Sequence, residues 1–193
     1  MITDILICRT EGNICIHTAT EADKSDYIAF VSDTSLMNSL QKAFSDKGID
    51  IGEIIWKERY DSDCIMFAII EISTEKTVGF CEIEHIYSDE PTIGITLAEN
   101  CRGKGYGYLA AKMMIEEGWK IFMHPYFIWE LDRENIASRK LVLKLGGKFV
   151  NTRCALSEYV IKVMRENDLD INADNYSDSV ERYKIERPAS LII

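Results

Sequence analysis

No stretch of the 193-residue sequence approaches the ~18 consecutive apolar residues that a membrane-spanning helix needs. The first nine residues, Met1 to Arg9, lack the basic start, long apolar stretch and small-residue cleavage site of a secretory leader, so export is not expected. Six cysteines lie scattered without a CxxC pair, which argues against a disulfide framework or a zinc site. The reduced cytoplasm is the natural compartment for such thiols. Positive charge is scarce. Lys and Arg number 22 against 32 Asp and Glu, and the net charge of −10 disfavours nucleic acid and anionic membranes as partners. Internal repeats and Pro/Gly-rich linkers are also lacking, with three prolines in all, so residues 1–193 are expected to form a single domain.

What is present is ordinary core material, 47% hydrophobic residues, arranged in alternating signals. Ile5 to Arg9 and Asn13 to Thr18 are β-like runs joined through Glu11-Gly12-Asn13. Thr20 with Asp23 three residues on resembles a capping start for a first helix through Tyr27, Ile28 and Val31. Leu36, Leu40, Ala43 and Phe44 mark a second helix ending at Lys47-Gly48. Cys64 to Ile70 is a solid apolar run, as in a strand buried on both faces. Strands follow at Thr77 to Tyr87 and Ile93 to Leu97, then a helix from about Gly105 to Lys120. A strand over Phe127–Leu131, a helix over Ile136–Leu145 and strands over Lys148–Arg153 and Val180–Arg187 complete a mixed α/β sheet.

The segment from Leu97 to Gly107 carries the chemistry. A strand ends, glycines recur at alternate positions (Gly103, Gly105, Gly107), and an amphipathic helix begins at once. Glycines let backbone amides approach a ligand, and the open N–H groups of a first helical turn attract an anion such as a pyrophosphate. Arg102 and Lys104 add local positive charge. The P-loop pattern GxxxxGK[ST] is absent, and the spacing is GxGxG rather than the GxGxxG of dinucleotide folds.

Arg102-Gly103-Lys104-Gly105-Tyr106-Gly107 does resemble the cofactor loop of the GCN5-related N-acetyltransferase (GNAT) superfamily. Asn135-Ile136-Ala137-Ser138, followed by Lys144-Leu145-Gly146-Gly147-Lys148-Phe149, is similar to that family's second motif. The pattern is nearest to the subgroup resembling ribosomal-protein N-terminal acetyltransferases. The resemblance spans about Ile14 to Asn151 and implies a mixed, mostly antiparallel sheet with a splayed parallel strand pair and flanking helices. It implies acetyl-coenzyme A as cofactor, its pantetheine arm lying between the strand ending at Leu97 and the strand Phe127–Leu131. Backbone near Leu97 and Glu99 would hold the arm. Amides of Gly103, Lys104, Gly105, Tyr106, Gly107 and Tyr108 would hold the pyrophosphate beside Arg102, with Asn135 on the pantetheine and Ser138 near the sulfur. Asn135 is equally well placed to cap a helix.

The implied reaction moves an acetyl group to a primary amine of a small molecule or protein N-terminus, by direct attack in a ternary complex. An alkylamine is almost wholly protonated at neutral pH, so a proton acceptor is required. Candidates are Glu82, Glu84, His85, Glu90 and Glu158, of which Glu84 comes first and Glu158 second. The tyrosine acid that many relatives carry seven residues after the Asn is Val142 here, which leaves Ser138 as substitute acid. That departure keeps a second reading open, a non-catalytic domain that senses acyl-coenzyme A. A plain structural module is a third. The acidic stretch between Cys154 and Ser179 is expected to insert a short helix and loop beside the acceptor site, favouring cationic amines. No metal is expected, and a homodimer is left open.

Overall fold

The computed structural model describes residues 5–32, 51–61, 63–154 and 179–191. The expected helix around Leu36–Gly48, the candidate base Glu158 and most of the acidic insertion lie outside these residues. Eight strands form one sheet among them, in the order β1-β2-β3-β4-β5-β6-β8-β7. They are β1 (Cys8–Glu11), β2 (Ile14–Thr18), β3 (Ile65–Glu71), β4 (Lys76–Glu84), β5 (Thr92–Leu97), β6 (Tyr126–Asp132), β7 (Lys148–Arg153) and β8 (Val180–Glu186). The helices are α1 (Lys24–Ser32), α2 (Ile51–Asp61), α3 (Tyr106–Ile121) and α4 (Ile136–Lys144). Every neighbouring pair is antiparallel except β5 and β6, which run parallel.

The solid apolar run of β3 has the reason anticipated for it, because both faces are covered. Ile65, Phe67 and Ile69 join Cys81 and Ile83 of β4 in a core shared with Ala110, Met113 and Met114 of α3. Met66, Ala68 and Phe80 point the other way, into a smaller cluster with Tyr27 of α1 and Trp56 of α2. The period-two alternation of a strand therefore assigns Phe80, Glu82 and Glu84 to the α1/α2 face. Opposite parity puts Cys81 and Ile83 under α3.

The largest differences from the sequence reading are two strand ends and one helix. β1 starts at Cys8 rather than Ile5, and Glu11 pairs with Ile14 across a tight Gly12-Asn13 turn whose Gly12 has φ +61°. β4 stops at Glu84 because His85 adopts φ +55°, a left-handed conformation that breaks the ladder. Helix α2 was not anticipated at all. Among its described side chains, Trp56 is buried at 2% exposure while Ile54 is exposed, so not every apolar residue of the helix marks its buried face. Among the described residues, no helix is long and apolar enough to cross a membrane.

The parallel pair is short. Register runs only through Thr92↔Ile128 and Ile93↔Trp129, and from Gly94 and Glu130 onward the two strands part. That divergence opens a gap in the middle of an otherwise continuous sheet.

Candidate functional site

The glycine loop lies at the end of β5, where the strands have separated. Glu99–Cys101 make one 3-10 turn, and Gly103 and Gly105 follow with φ +78° and +84°. A Cβ built on either glycine meets no atom within 4 Å, so open space lies before the loop. The first bond of the next helix runs from Leu109 N–H to the Gly105 carbonyl at 3.2 Å. Amides earlier in that turn therefore have no helical acceptor and remain available to an anion. Gly107 serves a different need. Its Cβ would lie 3.3 Å from Leu97 and 3.5 Å from Leu141, so its small size lets α3 seat against β5 and α4.

The side chains around this loop are partly engaged. Arg102 Nε donates to the Leu97 carbonyl at 3.2 Å, a group the resemblance had reserved for the pantetheine arm. Lys104 sits 3.9 Å from Glu71, and the Tyr106 hydroxyl donates to the same carboxylate. Tyr108 stacks under the Lys144 ammonium, 4.0 Å from its ring centre. Tyr106 and Lys104 thus lean toward the β3–β4 turn, away from the space before the glycines.

Across the gap, Asn135 caps α4 by accepting from Ser138 N–H at 3.0 Å. The Ser138 hydroxyl in turn accepts from the buried Trp129 indole at 3.0 Å. That bond leaves the hydroxyl proton of Ser138 free to be given elsewhere. Val142, at the position of the tyrosine acid that many relatives carry, is fully buried.

On the α1/α2 face, charged groups line both sides of the gap. Glu82 of β4 lies directly over Gly94, since a Cβ there would come 3.0 Å from Glu82 Oε1. The missing side chain at Gly94 is what allows a carboxylate to stand at the mouth of the gap. Arg59 of α2 approaches Glu82 at 3.1 Å and also pairs with Glu84. On the other side, Glu130 of β6 receives Arg153 and, at 3.0 Å, Arg182, whose guanidinium continues to Glu90 at 2.8 Å.

The two carboxylates at the gap are driven in opposite directions. Burial pushes Glu82 up to about 7, with Glu84 adding to the rise and Arg59 opposing it. Against the penalty of its own burial, Glu130 is held below the usual carboxylate range by Arg153 and Arg182. Four carboxylates (Glu82, Glu84, Glu90, Glu130) face three guanidiniums, so one proton balances the array. Glu82 is the group best placed to hold it or release it near neutral pH.

The structure sets Leu97, Glu99 and the loop from Arg102 to Tyr108 at and beyond the end of β5, and ties Ser138, with its cap Asn135, to Trp129 of β6. Glu84 stands one step further from the gap than Glu82, opposite Thr92 where β5 and β6 are still paired. His85 is 62% exposed beyond the strand end, near Asp63, and Glu90 is committed to Arg182. Sequence reasoning missed Arg59, Glu130, Trp129 and Gly94. The Ile93-Gly94-Ile95 interruption was the one signal available. Among the described residues, no cluster of His, Cys, Asp or Glu could hold a metal ion.

Comparisons with known proteins agree with this fold. The family model described as an acetyltransferase (GNAT) domain matches residues 13–148. A GCN5-related N-acetyltransferase from Brucella melitensis superposes with TM-score 0.63 at 12% identity, over 93% of this chain and 78% of that one. A GNAT-family acetyltransferase from Bacillus anthracis gives TM-score 0.64 at 16% identity, over 93% and 98% of the two chains. The dodecameric spermidine N-acetyltransferase from Vibrio cholerae gives 0.61 at 13%, over 91% and 95%. No curated protein matches the sequence. Identities this low speak to the fold alone.

Proposed function

The chain belongs to the GNAT acetyltransferases, and from that premise we propose that it moves the acetyl group of acetyl-coenzyme A to a primary amine, by direct attack in a ternary complex. The acceptor is a small molecule or a protein N-terminus. Residues 1–193 act as one domain in this reading, and the six free thiols suit the cytoplasm.

The open space before Gly103 and Gly105, together with the unbonded amides of the first α3 turn, fits a pyrophosphate. Gly103 to Tyr108 would hold it. The gap edge near Leu97 and Glu99, with Asn135 and Ser138 facing it, would hold the pantetheine arm once Arg102 leaves the Leu97 carbonyl. Acetyl-coenzyme A supplies an acyl group activated as a thioester. The chain's own work is to place an amine in its neutral form beside that group.

Proton removal is the observation that carries the reading. Glu82 stands at the mouth of the gap with its proton affinity raised to about 7, which suits a base working at neutral pH. We therefore place the proton acceptor at Glu82 rather than Glu84, on the grounds of position as well as proton affinity. Glu130, pinned by two arginines, remains an anion and completes the polar wall. Ser138, whose hydroxyl accepts from Trp129 and keeps its own proton, would be the group to supply a proton to the sulfur of the thioester.

The buried Val142, where relatives carry a tyrosine acid, favours one second reading, a domain that binds acyl-coenzyme A without turnover. Thiol release from acetyl-coenzyme A over a panel of polyamines, aminoglycosides, amino acids and peptide N-termini separates the two. Transfer predicts release with at least one class, rising as pH passes 7. Stabilisation by acetyl-coenzyme A with no release from any class would leave only the sensing reading.

A further inference from the structure

We propose that Arg59 is the positioning residue of this site, one guanidinium holding Glu82 and Glu84 together so that helix α2 governs when the acceptor loses its proton. The inference rests on Glu82 as proton acceptor.

Glu82 and Glu84 are two residues apart on one strand, so they share a face and repel each other. A single cation between them permits both to remain near the gap. Arg59 does this at 3.1 Å from Glu82 Oε1 while also pairing with Glu84. Both pairings are made by Nη1, so a single cationic nitrogen bridges the two carboxylates, a placement that a lysine ammonium can approximate.

Arg59 is itself held from behind. It lies three residues after Trp56, on the same side of α2, and Trp56 is buried beside Tyr27 and Phe80. The Trp56 indole donates to Glu21 at 3.2 Å, and Lys24 pairs with Glu53 at 2.6 Å, which fastens α2 to the first residue of α1 and to the turn before it. The helix that carries the cation is thereby fixed against the strand that carries the carboxylates.

The groups around Glu82 make the electrical consequence definite in sign. Tyr27 of α1, Cys64 and Asp63 before β3, and Cys81 of β4 surround the pair, and burial raises Tyr27 and both cysteines above their ordinary values. These groups supply no positive charge, and Arg153 adds a weaker one on the Glu84 side. Arg59 opposes the burial of ionised Glu82, and Glu84 reinforces it. Removing the guanidinium must tighten the hold of Glu82 on its proton. Removing the Glu84 charge must loosen it.

The test is the pH profile of kcat/KM for an accepted amine in Arg59→Gln, Arg59→Lys, Glu84→Gln and Glu82→Gln. Arg59→Gln should move the acid limb to higher pH by roughly one unit or more, as loss of a close opposite charge does. That shift lowers kcat/KM roughly tenfold on the limb, at pH 7 and below, and disappears by pH 9. KM for acetyl-coenzyme A should not change. Arg59→Lys should restore the limb most of the way, and Glu84→Gln should move it to lower pH. Where circular dichroism finds Arg59→Gln unfolded, the Glu84→Gln limb decides, a downward shift supporting the assignment and no shift overturning it. Limbs that stay put, or that move together in both variants, overturn the role of Arg59 while an inactive Glu82→Gln leaves the base in place. Full activity in Glu82→Gln overturns both.

Discussion

Glu82→Gln is expected to lower kcat by roughly two orders of magnitude or more, the usual weight of a positioned general base. Glutamine keeps the shape of the side chain over Gly94 but cannot take a proton. Acetyl-coenzyme A should bind as before, because the glycine loop lies at the α3 end of the gap and shares no contact with Glu82. A second signature accompanies the loss. A carboxyl whose value rises from the ordinary 4.5 to about 7 on folding binds its proton more tightly in the folded state. Its contribution to stability is therefore full below pH 4.5 and fades as pH climbs towards 7. The glutamine variant should lose that part of the slope when melting temperature is followed from pH 5 to 8. Near-normal turnover across that range would remove Glu82 from the reaction.

Gly105→Val is expected to abolish stabilisation by acetyl-coenzyme A while the protein still folds. At a ligand concentration ~100 times the dissociation constant, binding stabilises a fold by ~2.7 kcal/mol, easily read as a thermal shift. Two effects act against binding in the variant. A branched side chain disfavours the φ of +84° that the loop requires, and its atoms enter the space in front of the amides. No protein atom lies within 4 Å of the new Cβ, so the core is not disturbed. A thermal shift equal to that of the unchanged protein would mean the phosphates lie elsewhere.

These two sites were unequally legible in the sequence. The glycine loop could be found because its requirements are local: a strand end, glycines at alternate positions and a helix start occupy eleven consecutive residues, Leu97 to Gly107. Asn135 was legible for the same reason, since a helix cap is a neighbour effect, and it does accept from Ser138 N–H. Strand alternation likewise placed Glu82 and Glu84 on one face. The sequence reading put Glu84 first, because which of them meets the gap depends on Gly94 in the next strand and on where β5 leaves β6. Arg59 was out of reach. Its pairing with Glu84 spans 25 residues, and among the described side chains of α2 it is Trp56 that enters the core.

The strands around these residues show the same division. β3 was recognisable because burial on both faces leaves no polar alternation to mislead. The end of β4 was overrun by three residues, since nothing local announces that His85 turns left-handed to let Ile86 bond back to Asp63.

The most direct test of acetyl transfer is to incubate purified protein with acetyl-coenzyme A and an amine from the responsive class, then to measure free thiol and acetylated amine together. The account predicts one amide for each thiol released, at a rate that rises with pH through about 7 and collapses in Glu82→Gln. Thiol released without an acetylated amine, or an equal yield of amide in Glu82→Gln, would contradict it.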